Sequence, residues 1–274
     1  MPEVDLVAVT ADALAEIRAR RPLIHQITNY VVMNDTANIT LHIGASPVMA
    51  HAIGEVREMV GHAGALVLNI GTLDPSWIDA MLAAGREANE RGVPVVLDPV
   101  GVGATTLRTD AVEAILAAVR VDVIRGNAAE LSAIAGLAAE IRGVDSVSAS
   151  DPGEAARIVA GRTGGAAVAS GAVDHVTDGT RAARVENGHP LMGAITGSGC
   201  MATALVGAFL AVQQDPFLAA TAAMVAFGVA GEIAAEHSAG PGTFRQQLMD
   251  AVYGLDRNAI RARARATVTG VWPA

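Results

Sequence analysis

The segment Ile195-Thr196-Gly197-Ser198-Gly199-Cys200 stands immediately before a long apolar stretch that reads as a buried helix. Two glycines and small hydroxyl residues at a helix start leave backbone N–H groups free to meet an anion, and the positive end of the helix dipole helps. The chemistry expected there is an oxyanion or phosphate nest. The plainer alternative is that Gly197 and Gly199 only let the helix approach a strand closely. Cys200 adds a thiol at a helix N-terminus, where its pKa is expected to fall and where it can bind a hydroxyl or accept a proton. Its bland role is that of a small buried hydrophobe. Asp98 ends an apolar run, where a carboxylate needs a partner or a metal. Glu130 follows Asn127 by three residues and can simply complete a capping box. Taken together, two acids at neighbouring strand ends suit Mg²⁺, which keeps waters and takes one or two carboxylates. Gly101-Val102-Gly103 is half a dinucleotide fingerprint, with Thr106 where the third glycine belongs.

Several chemistries are excluded. All 19 basic residues are arginine, so a Walker A lysine, a protein-kinase strand lysine and a pyridoxal Schiff base are all ruled out. One cysteine forbids an intrachain disulfide and a cysteine-pair zinc site. Thr196 stands two positions before Ser198, so there is no Gly-x-Ser-x-Gly elbow. The seven histidines have no His-Glu-x-x-His spacing. Arg257, Arg261, Arg263 and Arg265 read as a solvated face, because a formal charge of -9 repels a phosphate backbone. No nucleic-acid partner is expected.

The elements that must position these residues follow from periodicity. Apolar β-branched runs at 23–28, 46–49, 65–69, 94–98, 122–126 and 166–170 alternate with Ala-rich helical segments, the pattern of parallel strands joined by crossover helices. Their continuous apolar character suits strands covered on both faces. Asp74-Pro75 and Asp151-Pro152 each open a helix with an N-cap and a first-position proline, running toward Gly92 and Gly161. Residues 175–178 and 184–186 form a short antiparallel excursion about the Asp178-Gly179 turn, and the chain from Cys200 onward reads as almost wholly helical. In open α/β sheets ligands sit beyond the carboxyl ends of strands. The segments after Asn69, Asp98, Arg125 and Ser170 should therefore converge on one crevice.

With 274 residues, 51% hydrophobic and 17% charged, and a mean hydropathy of +0.39, the chain can bury a large core. No linker or repeat divides it, so residues 1–274 are expected to form one three-layer domain. The amino terminus lacks an apolar h-region, and the longest apolar stretches fall short of the about 18 residues of a bilayer span. A cytoplasmic protein without a membrane partner is expected.

Six motifs in order carry a family resemblance: Pro22-Leu-Ile-His-Gln-Ile-Thr-Asn29, Gly44-Ala-Ser-Pro-Val-Met49, Leu68-Asn-Ile-Gly-Thr72, Leu97-Asp-Pro-Val-Gly-Val-Gly-Ala104, Arg125-Gly-Asn-Ala-Ala-Glu130 and Thr196-Gly-Ser-Gly-Cys200. They resemble the hydroxyethylthiazole kinases over residues of about 20 to 240. The resemblance implies a ribokinase-like α/β/α fold with a mainly parallel sheet and no lid. It implies a homotrimer with sites at subunit interfaces, acting in thiazole salvage for thiamine biosynthesis. The implied reaction moves the ATP γ-phosphoryl group to the hydroxyl of 5-(2-hydroxyethyl)-4-methylthiazole. By the same resemblance Met49, Gly197 and Asn29 contact substrate, and Arg125, Ser170 and Gly199 bind ATP. Asp98 and Glu130 match the acids linked to Mg²⁺, and Cys200 is the catalytic position, where sugar kinases carry an aspartate base. Ser170 replaces a frequent Thr, and His25-Gln26 a frequent His-Cys pair. The alternatives are a related small-alcohol kinase, such as a hydroxymethylpyrimidine kinase, and a non-catalytic oligomer that binds nucleotide or thiazole.

Overall fold

The structure, a computed structural model, describes residues 4–137 and 151–269. Nine strands form one sheet: β1 Leu23–Ile27, β2 Ser46–Val48, β3 Ala65–Asn69, β4 Val95–Asp98, β5 Val123–Asn127, β6 Ala166–Ser170, β7 Asp174–Thr177, β8 Ala182–Val185 and β9 Ala266–Thr269. Their spatial order is β2-β1-β3-β4-β5-β6-β7-β8-β9. The first six pair in parallel and the rest antiparallel.

Helices cover both faces, as the apolar strands require. Within β3, Ala65 and Val67 join one hydrophobic cluster while Leu66 and Leu68 join the other; Val96 of β4 and Val123 of β5 face the first, Leu97 and Ile124 the second. The first cluster is closed by α1 Leu6–Arg20, α2 Met33–Ile43, α8 Ser198–Leu210, α9 Pro216–Glu236, α10 Pro241–Gly254 and α11 Arg257–Arg263. The second is closed by α3 Val56–Val60, α4 Pro75–Arg91, α5 Thr106–Ala118, α6 Ala128–Ile134 and α7 Pro152–Thr163. Asp74, Asp151 and Asp215 each cap a helix whose next residue is proline. Helix α9 is long and apolar enough to cross a membrane, but 83% of that window is buried inside the fold, so it is a core helix.

One expectation is corrected. The carboxyl-terminal region is not wholly helical: β9 returns to pair with β8, Val185 opposite Ala266. Its alternation of partly buried and exposed residues suits an edge strand, and four residues are too few for periodicity to stand out after two helices. The arginines of that region lie on a solvated face, as expected, and three of them make surface ion pairs. Arg257 pairs with Asp12, Arg263 with Glu236 and Arg265 with Glu232.

The strand order creates a switch point. From β1 the chain moves to one side to form β2, then returns past β1 to form β3 on the other. The crevice beyond the carboxyl ends of β1 and β3 is where such sheets bind ligands.

Candidate active site

At that switch point Asn29, two residues beyond β1, donates from Nδ2 to Asn69 Oδ1 at 2.8 Å. Asn69 is the last residue of β3 and is paired in register with Asp98, the last of β4. Its own Nδ2 lies 2.8 Å from Asp98 Oδ2 and 3.2 Å from Cys200 Sγ. Asn29 Nδ2 also reaches Sγ, at 3.6 Å. Thr203, one helical turn after Cys200, donates to Asp98 Oδ2 at 2.9 Å. Asp98 is only 2% exposed. Burial, with the Glu130 charge adding to it, lifts its carboxyl to about 6 against the opposing pull of Arg125, Thr203 and Cys200.

Helix α8 begins at Gly197, whose φ is +84°. A Cβ there would lie 2.5 Å from Val32 Cγ1, so only glycine fits. No side chain caps this helix, and its first intrahelical bond is Met201 N–H to the Gly197 carbonyl, 2.8 Å. The amides of Ser198, Gly199 and Cys200 are therefore not used within the helix. A Cβ on Gly199 would meet Arg125 Nη1 at 2.6 Å, so this glycine lets the guanidinium reach the helix start.

The expected low thiol pKa is corrected. Burial and the Asp98 charge push Cys200 up to about 12, outweighing the two asparagine donors and Arg125. The helix dipole falls off within its first turn and does not offset desolvation beside a carboxylate. At neutral pH Cys200 is a thiol.

Arg125, on β5, donates from Nη2 to Ser170 Oγ at 2.8 Å, across from the neighbouring end of β6. Its Nε is buried without a partner. Arg125, Ser170 and the Gly197–Gly199 turn line one end of a cavity of about 640 Å³. Asp174 lines it too, accepting the Gly171 N–H at 3.0 Å, and burial raises its carboxyl to about 6 despite Arg125.

Glu130 takes the structural part foreseen for it. It completes a capping box with Asn127, and Oε1 accepts the Gly101 N–H at 2.8 Å. Each of its oxygens accepts one amide and keeps a lone pair. Among the described residues no group of three or more His, Cys, Asp and Glu gathers as a metal cage. The donor set is instead two facing acids beside an arginine, whose mutual repulsion already raises Asp98. Such a pair fits a divalent cation that retains most of its water.

Met49 lies just past β2, the edge strand next to β1. Its backbone is fastened by two imidazoles: His51 Nδ1 lies 3.2 Å from the Met49 carbonyl, and His25 Nε2 lies 2.7 Å from that of Ala50. His25 is fully buried, and desolvation lowers its pKa, so it is neutral and donates. Four residues escaped the sequence reading as site members: Asn69, Thr203, Asp174 and Arg108. Asn69 and Thr203 carry a signal, each being a polar residue within an apolar run. Arg108 carries none; its guanidinium donates to the carbonyls of Ile70, Gly71 and Val100 and so ties the loops after β3 and β4 together.

The Hydroxyethylthiazole kinase family pattern matches residues 14–258. A hydroxyethylthiazole kinase of Desulforudis audaxviator (strain MP104C) is 55% identical over 256 residues, covering 93% of this chain and 94% of the relative. A hydroxyethylthiazole kinase structure from Pyrococcus horikoshii OT3 superposes with a TM-score of 0.88 at 45% identity, covering 95% of this chain and 98% of that one. A ribokinase-like superfamily protein from Enterococcus faecalis V583, 13% identical with a TM-score of 0.62, shares the fold over 90% of this chain and 95% of its own.

Proposed function

The chain belongs to the hydroxyethylthiazole kinase family, and we propose that it moves the γ-phosphoryl group of ATP to the side-chain hydroxyl of 5-(2-hydroxyethyl)-4-methylthiazole, in thiazole salvage for thiamine biosynthesis. The observation that carries this reading is Asn69 Nδ2, within reach of both Asp98 and Cys200 at the start of an uncapped helix beside the Arg125–Ser170 cavity.

Phosphoryl transfer needs positioning and charge neutralisation more than covalent help. Arg125 meets the phosphates with a planar fork that Ser170 holds in place. The amides of Ser198, Gly199 and Cys200 receive the transferring group, with Gly197 providing the turn and Gly199 the room. Asn29 and Met49 bound the alcohol's pocket. Cys200 orients the hydroxyl as a neutral thiol. As the oxygen–phosphorus bond forms and ADP leaves, the hydroxyl proton passes toward Sγ and the thiol proton toward the Asp98 carboxylate beside it. Asp98 and Glu130 would hold Mg²⁺ through water, and the ion would supply positive charge to the phosphates.

The whole chain acts as one domain in the cytoplasm. It assembles as a homotrimer with sites at subunit boundaries; Tyr30 and Val31, each 62% exposed and directly after Asn29, support that arrangement. The test is ADP release with the thiazole alcohol against hydroxymethylpyrimidine. Preference for the thiazole supports the reading, preference for the pyrimidine moves the assignment to the sister kinases, and binding without ADP release makes the chain a sensor.

A further inference from the structure

The first turn of α4 sets an indole against two loops at the carboxyl ends of the strands. Trp77 is 2% exposed, and its ring centroid lies 4.8 Å from that of Tyr30, tilted by 48°, and 4.9 Å from that of His51, tilted by 37°. Both separations fall within the about 4.5–7 Å of favourable aromatic pairs. The Asp74 cap fixes the indole's place, its Oδ1 accepting the Trp77 N–H at 3.1 Å.

Each ring that meets the indole belongs to a segment bounding the alcohol's pocket. Tyr30 directly follows Asn29, whose Oδ1 accepts the Val31 N–H at 3.0 Å, and the Tyr30 N–H donates to Thr72 Oγ1 at 3.1 Å. His51 follows Met49 by two residues, and its Nδ1 lies 3.2 Å from the Met49 carbonyl. A carbonyl only accepts, so that nitrogen carries the proton. The sheet holds the two segments unequally. Asn29 is bonded across to Asn69 of β3, whereas Met49 leaves a three-residue edge strand, Ser46–Val48, that pairs with β1 alone. A loop beyond so short a ladder is placed by what its side chains pack against.

We infer that Trp77 is a positioning residue for the alcohol side of the site: packed against both Tyr30 and His51, it sets the spacing of the segments that carry Asn29 and Met49 without touching substrate. The inference rests on the kinase reading above. A displaced wall misplaces the hydroxyl, and a misplacement of about 1 Å can cost roughly 100-fold. The phosphate contacts at Arg125 and the α8 turn stand on other elements and keep their geometry.

Trp77 also belongs to the second core cluster, so its ring must be separated from its bulk. Trp77→Leu keeps an apolar side chain in the core and removes the ring; Trp77→Phe keeps a ring. In steady-state kinetics on the full chain, Trp77→Leu should raise KM for the thiazole alcohol about tenfold while KM for ATP moves less than about threefold. Trp77→Phe should stay within about threefold of the parent for both substrates. An unchanged KM for the alcohol in Trp77→Leu, the same rise in Trp77→Phe, or equal rises for both substrates overturns the inference. A second measurement needs neither turnover nor a folded leucine variant. Trp77 and Trp272 are the two tryptophans of the chain, so Trp272→Phe leaves Trp77 as the sole indole emitter. Its emission should change on saturation with the thiazole alcohol and hold steady with ADP; a response to ADP, or none to the alcohol, overturns the inference. A chain that shows the alcohol response yet releases no ADP leaves the inference standing and removes the kinase reading instead.

Discussion

Cys200 is where residue chemistry and environment part company. A thiol at a helix start is commonly activated, yet this one sits beside Asp98 and is pushed up to about 12. Its alkylation by iodoacetamide at pH 8 should therefore be far slower than that of a free cysteine. Cys200→Ala should lower kcat by about 10- to 100-fold by losing the orienting contact, with the dissociation constant of ADP unchanged by calorimetry. An unchanged kcat would remove Cys200 from the mechanism. Asp174 supplies the pH dependence. Burial raises its carboxyl to about 6 from an ordinary 3.8, so the folded state holds a proton that the unfolded chain has already released between those values. Stability from this group is thus present at low pH, falls as pH rises through that window, and stays lower above it by about 2–3 kcal/mol. Asp174→Asn should cut the difference in urea-unfolding free energy between pH 4 and pH 7 by that amount. No change would mean that the carboxyl is as well solvated folded as unfolded.

At the scale of elements, the site depends on how closely α8 approaches β5. Gly199→Ala would place a methyl 2.6 Å from Arg125 Nη1. The guanidinium must then withdraw, and KM for ATP should rise about tenfold with KM for the thiazole alcohol little moved; equal changes in both would mean that the whole helix had shifted. Arg108 works on two loops together. Its removal in Arg108→Ala should speed amide hydrogen exchange at Gly71 and Gly101, whose N–H groups are bonded to Asn69 Oδ1 and Glu130 Oε1. Protection as in the parent chain would mean that those two bonds hold the loops unaided. The strands were legible in advance because buried parallel strands announce themselves as apolar runs. Strand β9 was not, because an edge strand of four alternating residues has too little pattern to outweigh the helices before it.

For the molecule as a whole, the proposed homotrimer gives a direct measurement. The chain is 27.8 kDa, and light scattering should return about three times that mass. Tyr30→Asp should break the assembly and remove turnover together if sites are shared between subunits; an active monomer would separate them. Composition, the absence of lysine and the six motifs were enough to place the chain in its fold and family, because those depend on local residue type and order. Asp98, Cys200, Arg125 and the glycines at 197 and 199 stood out as candidates by position alone, each at the end of an apolar run or the start of a helix. Only the tertiary structure decided their electrostatic state and their partners. A pKa is set by burial and neighbouring charges, and Asn69 meets Asp98 and Cys200 only because two strands and a helix far apart in the chain end at one place.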